Sequence, residues 1–152
     1  MMRRLSTGGN GFVGRALTSH LLASGCEVRL SLRQPQKADQ IAGVETVEIG
    51  SLSLKNDWTV ALRNVDRIVH LAARVHVMND NTSDPMAEFS RVNVEGTANL
   101  ARQAAAAGVR RFVYLSSIKV NGEFTQEGRP FTANDAPAPE DPYGVSKHEA
   151  EQ

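Results

Sequence analysis

The segment Thr7-Gly8-Gly9-Asn10-Gly11-Phe12-Val13-Gly14 constrains this chain more than any other. Residues without a Cβ permit a sharp strand-to-helix corner, close approach of the backbone to a pyrophosphate, and close seating of helix on sheet. The amino terminus of the helix that follows offers unpaired N–H groups and the positive end of a dipole, which favour an anion. The spacing is Gly8-x-x-Gly11-x-x-Gly14, a variant of the more familiar G-x-G-x-x-G. Apolar Phe12, Val13, Ala16, Leu17, Leu21 and Leu22 follow at helical spacing, as the helix of a βα unit requires. Gly8, Gly11, Phe12 and Val13 are therefore candidate contacts to a bound dinucleotide.

Strand and helix patterns alternate along the rest of the chain. Strands are expected at Leu5–Thr7, Glu27–Leu32, Val44–Ile49, Asp66–Leu71 and Arg111–Ser116. The stretch from Met86 to Ala107, with Phe89, Val92, Leu100 and many alanines, predicts one long helix stopped by Gly108. Such alternation implies an α/β fold, a doubly wound parallel sheet in three αβα layers, with ligands at the carboxyl ends of the strands. Residues 1–152 read as one domain, with a proline-rich loop over Pro130–Pro142 and no internal repeat.

Composition narrows the partners. Lys and Arg total 17 and Asp and Glu total 17, so no overall field favours nucleic acid or an anionic membrane, and small molecules are the expected ligands. No apolar run reaches membrane-spanning length, and none follows Met1-Met2-Arg3-Arg4 as a secretory signal would require. Cys26 stands alone and cannot form an internal disulfide, which fits a packing role in a reducing, cytoplasmic setting. No His, Cys or Asp spacing suggests a metal site.

A second feature turns the nucleotide corner toward chemistry. Tyr143-Gly144-Val145-Ser146-Lys147 opens a helix that Asp141 can cap and Pro142 can start. Tyr143 and Lys147, four apart, share a face. A lysine ammonium near a phenol, together with the helix amino terminus, stabilises phenolate, which can take a hydroxyl proton as hydride leaves the same carbon.

Taken together, Thr7–Gly14, His70-Leu71-Ala72-Ala73, Asn93-Val94-Glu95-Gly96-Thr97-Ala98-Asn99-Leu100, Tyr114-Leu115-Ser116-Ser117 and Pro142–Lys147 running into His148-Glu149-Ala150-Glu151 resemble the extended short-chain dehydrogenase/reductases. Within them the likeness is to the NAD-dependent epimerase/dehydratase group acting on nucleotide sugars. The resemblance spans the whole chain and implies a Rossmann-type domain with Ser117, Tyr143 and Lys147 catalytic. Ser117 would hydrogen-bond the reacting oxygen, with Ser116 as its nearest competitor, and Lys147 would also hold the nicotinamide ribose. Leu71, Ala72 and Ala73 would line the cofactor, Asn93 would support the site from the long helix, and His70 would be a partly buried structural residue.

The chain also departs from the family pattern. Leu32-Arg33 stands where NAD-preferring members carry an acidic residue, which favours a 2′-phosphate and hence NADP, with Lys37 as a helper; the alternative is that Arg33 stacks on adenine or points into solvent. Ser117-Ile118-Lys119 replaces the Thr-Asp-Glu of the sugar dehydratases, which ranks 4-epimerisation above 4,6-dehydration. Asn121 precedes Gly122 where many members have tyrosine, and Arg3 and Arg4 fall in a usually apolar first strand, predicting that it is shortened. The chain stops at Gln152, inside the helix of Tyr143 and Lys147, and so reads as lacking the smaller carboxyl-terminal substrate domain. The leading expectation is C4 epimerisation of a nucleotide sugar of the UDP-glucose or UDP-N-acetylglucosamine type, in surface-polysaccharide synthesis, by a homodimeric parent enzyme. An NADPH-dependent reductase or a dehydratase, and a non-catalytic dinucleotide-binding module, are the alternatives. Arg74, His76 and Lys119 lie on loops expected to face substrate, where solvated charge is the commoner explanation.

Overall fold

Five parallel strands lie in the order β3-β2-β1-β4-β5 in the computed structural model, which describes residues 3–36, 41–75 and 84–152. They are β1 (Arg3–Thr7), β2 (Glu27–Leu32), β3 (Val44–Glu48), β4 (Val65–His70) and β5 (Arg111–Tyr114). The chain runs outward from β1 to β3, returns to the other side of β1 and continues outward to β5. The winding direction therefore reverses between β1 and β4, and a crevice opens there at the carboxyl ends of the strands. Lys37 and His76 lie outside the described residues. Among those described, no helix is long and apolar enough to cross a membrane.

Most strand limits match the sequence expectation to within a residue, but β5 ends at Tyr114 rather than Ser116. The first strand is not shortened. Arg3 and Arg4 both belong to β1, and Arg3 reaches the carboxylates of Glu27 and Glu45 at 3.5 and 3.1 Å, so its charge is answered at the strand end. The expected single helix from Met86 is also corrected. It divides into α3 (Pro85–Phe89), a π-helical turn over Ser90–Glu95, and α4 (Gly96–Ala106), before Gly108 leaves with φ +77°.

Strand residues alternate between two packed faces. Leu5 and Ile68 point to one face, where they meet Trp58, Ala61 and Leu62 around the short α2 (Thr59–Leu62) and Leu100 and Ala104 of α4. Val28, Leu30 and Leu32 point to the other, against Leu21 and Leu22 of α1 (Phe12–Ala23). The apolar spacing at the start of α1 misidentifies the buried face. Phe12 is 97% exposed and Val13 50%, whereas Gly14 and Thr18 are buried. The helix enters so close to the turn that a Cβ at Gly14 would lie 2.2 Å from the Gly8 carbonyl oxygen and 2.6 Å from Gly9 Cα.

Arg29 is buried in the middle of β2. Its Nη1 donates to the carbonyls of Val60, Ala61 and Arg63 at 3.2, 2.7 and 2.8 Å, and its Nη2 to Glu45 Oε2 at 2.9 Å. Those carbonyls end α2, a four-residue helix too short to satisfy its own terminus. One side chain thus ties α2 to the sheet beneath it. Arg29→Met keeps the apolar stem and strands the Ala61 and Arg63 carbonyls, so it is expected to cost about 2–4 kcal/mol in urea unfolding; an unchanged midpoint would show that this cap contributes nothing.

Candidate functional site

The crevice at the strand reversal is a groove of about 640 Å³. One wall is the glycine turn, with Thr7, Gly8, Asn10 and Gly11; another is the end of β2, with Ser31, Leu32 and Arg33; the third is Leu71 to Val75 after β4. Gly8 has φ +67°, and a Cβ there would lie 2.9 Å from the Ala72 nitrogen, so only glycine lets these walls meet. The Gly11 N–H donates to the Gly8 carbonyl at 3.0 Å, closing the turn. Gly11 is also the cap residue of α1 and offers no side chain to its first-turn N–H groups. This glycine-walled concavity at an uncapped helix start fits a dinucleotide pyrophosphate in size and chemistry.

Six of the sequence-predicted binding residues line this groove: Gly8, Gly11, Arg33, Leu71, Ala72 and Ala73. Phe12 and Val13 do not, and stand exposed at the start of α1. Residues that sequence reasoning passed over also line it, among them Asn10, Ser31, Gln34, Gln36 and the run Ile49 to Leu52. Only their position at or just beyond the carboxyl ends of strands could have signalled them.

Ser117 follows β5, and Tyr143 and Lys147 lie on α5 (Pro142–Glu149); none of the three lines the groove. Asp141 caps α5 as expected, its Oδ1 accepting from the Gly144 N–H at 2.5 Å. Ser117 caps the 3₁₀ turn Ile118–Val120, and its Oγ accepts from the Lys119 N–H at 3.3 Å. The hydroxyl of Ser116, its competitor, is buried away from solvent. Lys119 is not a free loop cation: its ammonium donates to Asp141 at 2.7 Å and to Glu123 at 2.7 Å, latching the Ser117 turn to the start of α5. A Cβ at Gly144 would fall 2.9 Å from the Lys119 carbonyl, which makes close contact between these segments possible.

Lys147 is buried. Its ammonium donates to the Leu115 carbonyl at 2.7 Å and lies 4.0 Å from the centre of the Tyr114 ring, two contacts the sequence did not reveal. Burial lowers its pKa from the ordinary lysine range to about 8, with nearby Glu151 opposing the shift. Burial likewise pushes the Tyr114 phenol upward. The ring of Tyr143 meets Phe89 edge-on at 6.3 Å.

Asn93 joins the two regions from within the π-helical turn, a distortion common at functional sites. Its Nδ2 donates to Ser146 Oγ at 2.9 Å and to the Arg74 carbonyl at 3.0 Å, while its Oδ1 accepts from the Arg74 N–H at 2.7 Å. Ser146 in turn donates to the Tyr143 carbonyl at 2.8 Å. Arg74 stacks over Phe89 at 5.4 Å with Glu88 4.0 Å away. His70 is fully buried rather than partly so, between the Thr7 and Thr97 hydroxyls at 2.6 and 2.9 Å, and burial drives its pKa down to about 3.

Comparison with known proteins agrees with this geometry. The NAD dependent epimerase/dehydratase family matches residues 5–152. UDP-glucose 4-epimerase of Vibrio cholerae is 45% identical over 97% of this chain and 44% of its own length. A 3-beta-hydroxysteroid dehydrogenase of Mycolicibacterium neoaurum is 40% identical over 78% of the chain and 32% of its own. Among solved structures, the Thermus thermophilus UDP-glucose 4-epimerase complex with NAD superposes with TM-score 0.83 at 29% identity, covering 99% of this chain and 49% of that one. The chain thus spans less than half the length of these relatives. The match over nearly its full length, with the glycine-walled groove at the strand reversal, makes this chain a member of the NAD dependent epimerase/dehydratase family.

Proposed function

We propose that this chain carries the dinucleotide-binding and proton-transfer parts of an enzyme that epimerises C4 of a nucleotide sugar through a 4-keto intermediate. The observation that supports the reading is the packing of the segment after β5, which holds Ser117, against α5, which holds Tyr143, through Lys119–Asp141 and through the buried Lys147 on the Leu115 carbonyl. Its similarity to a UDP-glucose 4-epimerase supports the choice of sugar class. Gly8, Gly11, Leu71, Ala72 and Ala73 would hold NAD, with Asn93 fixing the wall at Arg74. Bound there, the nicotinamide supplies a reversible acceptor for the C4 hydride.

The chain's own residues manage the proton and the oxygen. Tyr143, as phenolate, takes the proton from the C4 hydroxyl, and returns it once the opposite face of the sugar is presented. Ser117 donates a hydrogen bond to the C4 oxygen through both steps. Lys147 supplies the positive charge that favours the phenolate, fixed in place by Leu115 and Tyr114. The parent protein would act as a cytoplasmic homodimer. A second reading, net reduction of a carbonyl with NADPH, draws on Arg33, which lines the groove where an acidic residue would select NAD.

Tyr143→Phe should lower turnover of UDP-glucose by a factor of about 10²–10⁴ while leaving NAD affinity nearly intact; normal turnover would remove Tyr143 from the mechanism. The Lys147 ammonium is present below pH about 8 and lost above it, so kcat should decline on the alkaline side with an apparent pKa near that value. An unfolded chain holds that proton up to the ordinary lysine range, so through this group stability rises as pH climbs past about 8. Lys147→Met should abolish that rise in the urea midpoint, and a rise equal to the parent's would contradict the assigned pKa. Parallel calorimetric titrations with NAD and NADP decide between the cofactors: tighter NADP binding, weakened by Arg33→Asp, is the outcome the reductase reading requires.

A further inference from the structure

The buried His70 lies between the groove and the Tyr143 helix, and the hydrogen bonds around it determine where its proton sits. Thr7 Oγ1 accepts from the N–H groups of Leu71 and Ala72 at 3.1 and 3.0 Å. Its own single proton is then left for His70 Nδ1, 2.6 Å away, which must be an acceptor. The neutral ring therefore carries its proton on Nε2 and donates it to Thr97 Oγ1 at 2.9 Å. No other arrangement satisfies all four contacts. An imidazolium would add a proton on Nδ1 facing Thr7 Oγ1, which already accepts from the Leu71 and Ala72 N–H groups and has no further lone pair to offer.

The same ring reaches the other half of the site. It stacks on Tyr114 at 5.8 Å and 28° between planes, and the Tyr114 ring also seats the Lys147 ammonium at 4.0 Å. On its other side, Thr7 holds Leu71 and Ala72, the wall against which Gly8 turns. Neither His70 nor Thr97 lines the groove.

We infer that His70, held as the neutral Nε2–H tautomer by Thr97, is a positioning residue: it orients the Thr7 hydroxyl that shapes the Leu71–Ala72 wall of the cofactor groove, and it backs the Tyr114 ring beneath Lys147. The inference rests on the groove's assignment to NAD only for its functional consequence; the tautomer itself follows from the hydrogen bonds. The low pKa accords with a ring that stays neutral beside an ammonium.

Two measurements test it. Nitrogen-15 NMR of histidine-labelled protein should show the His70 proton on Nε2 throughout the neutral range, and a signal from the Nδ1–H tautomer or from imidazolium would overturn the assignment. Thr97→Val, nearly isosteric, removes the acceptor of that proton and should weaken NADH binding, read by fluorescence titration, by about tenfold, the equivalent of one lost hydrogen bond. Thr97→Ser should restore it. Titration well below each variant's melting temperature separates positioning from stability. A folded Thr97→Val protein that binds NADH as tightly as the parent would refute the positioning role, even if its melting temperature fell. Should the parent protein bind no NADH at all, the reading of the groove fails instead, and the tautomer spectrum alone decides whether the Thr97–His70–Thr7 arrangement stands.

Discussion

The nucleotide groove exists because α1 and the turn before it approach to backbone contact. With a Cβ at Gly14 the Gly8 carbonyl would be 2.2 Å away, so any side chain there forces the helix off the sheet. Two other glycines complete the corner: Gly11 caps α1 without a side chain to cover its first-turn N–H groups, and Gly8 lies against Ala72 across the strand reversal. Gly9 contributes in the same way from behind, where a Cβ would meet Leu30 Cδ2 at 2.3 Å. The anion preference of a helix amino terminus would be of little use if the helix could not be brought this near the ligand.

Parallel register then arranges what lies behind the groove. Ser31, Thr7, His70 and Tyr114 are Cα partners across β2, β1, β4 and β5, and so form one file on one face at the carboxyl ends of four strands. Two residues back, Arg29, Leu5, Ile68 and Phe112 make the next file, apolar except for the arginine that caps α2. The sheet is thus apolar in its depth and polar at its mouth. A slip of one residue in β4 would send His70 to the opposite face and replace it with Leu71 or Val69, which could not bond Thr7.

Much of this was written in the sequence, though unevenly. β2 falls on the expected residues because Glu27–Leu32 is a β-prone run bounded by Gly25 and by polar residues, and α5 starts where Asp141-Pro142 says it should. The glycine turn was legible as well, since a missing Cβ is a statement about local geometry. What was not legible depends on partners far along the chain. Phe12 and Val13 match a helical apolar stripe, yet the real packing face of α1 uses Gly14 and Thr18, selected by the closeness of the turn. The π-helical turn at Ser90–Glu95 carries Asn93, which reaches both Arg74 and Ser146, contacts that no periodicity encodes. Arg29 looks like a solvent-facing strand residue until α2 is placed above it. Arg74 and Lys119, charged residues on loops, prove to be engaged by Phe89 and Glu88 and by Asp141 and Glu123.

The same long-range partners explain how the chain can keep an ammonium buried at Lys147. Removing a charge from water is expensive unless its donors are met, and here the compensation is a carbonyl and an aromatic face rather than a carboxylate. A carboxylate at that distance would hold the proton firmly and raise the pKa. A neutral carbonyl and a ring leave burial as the dominant influence, which brings the group down to about 8. The residue next in the stack must then carry no charge of its own, and His70, buried and satisfied on both nitrogens by threonine hydroxyls, meets that condition. The neutrality of His70 and the modest basicity of Lys147 are therefore two results of the same choice, to build the floor of the site from hydroxyls, carbonyls and rings instead of from ion pairs.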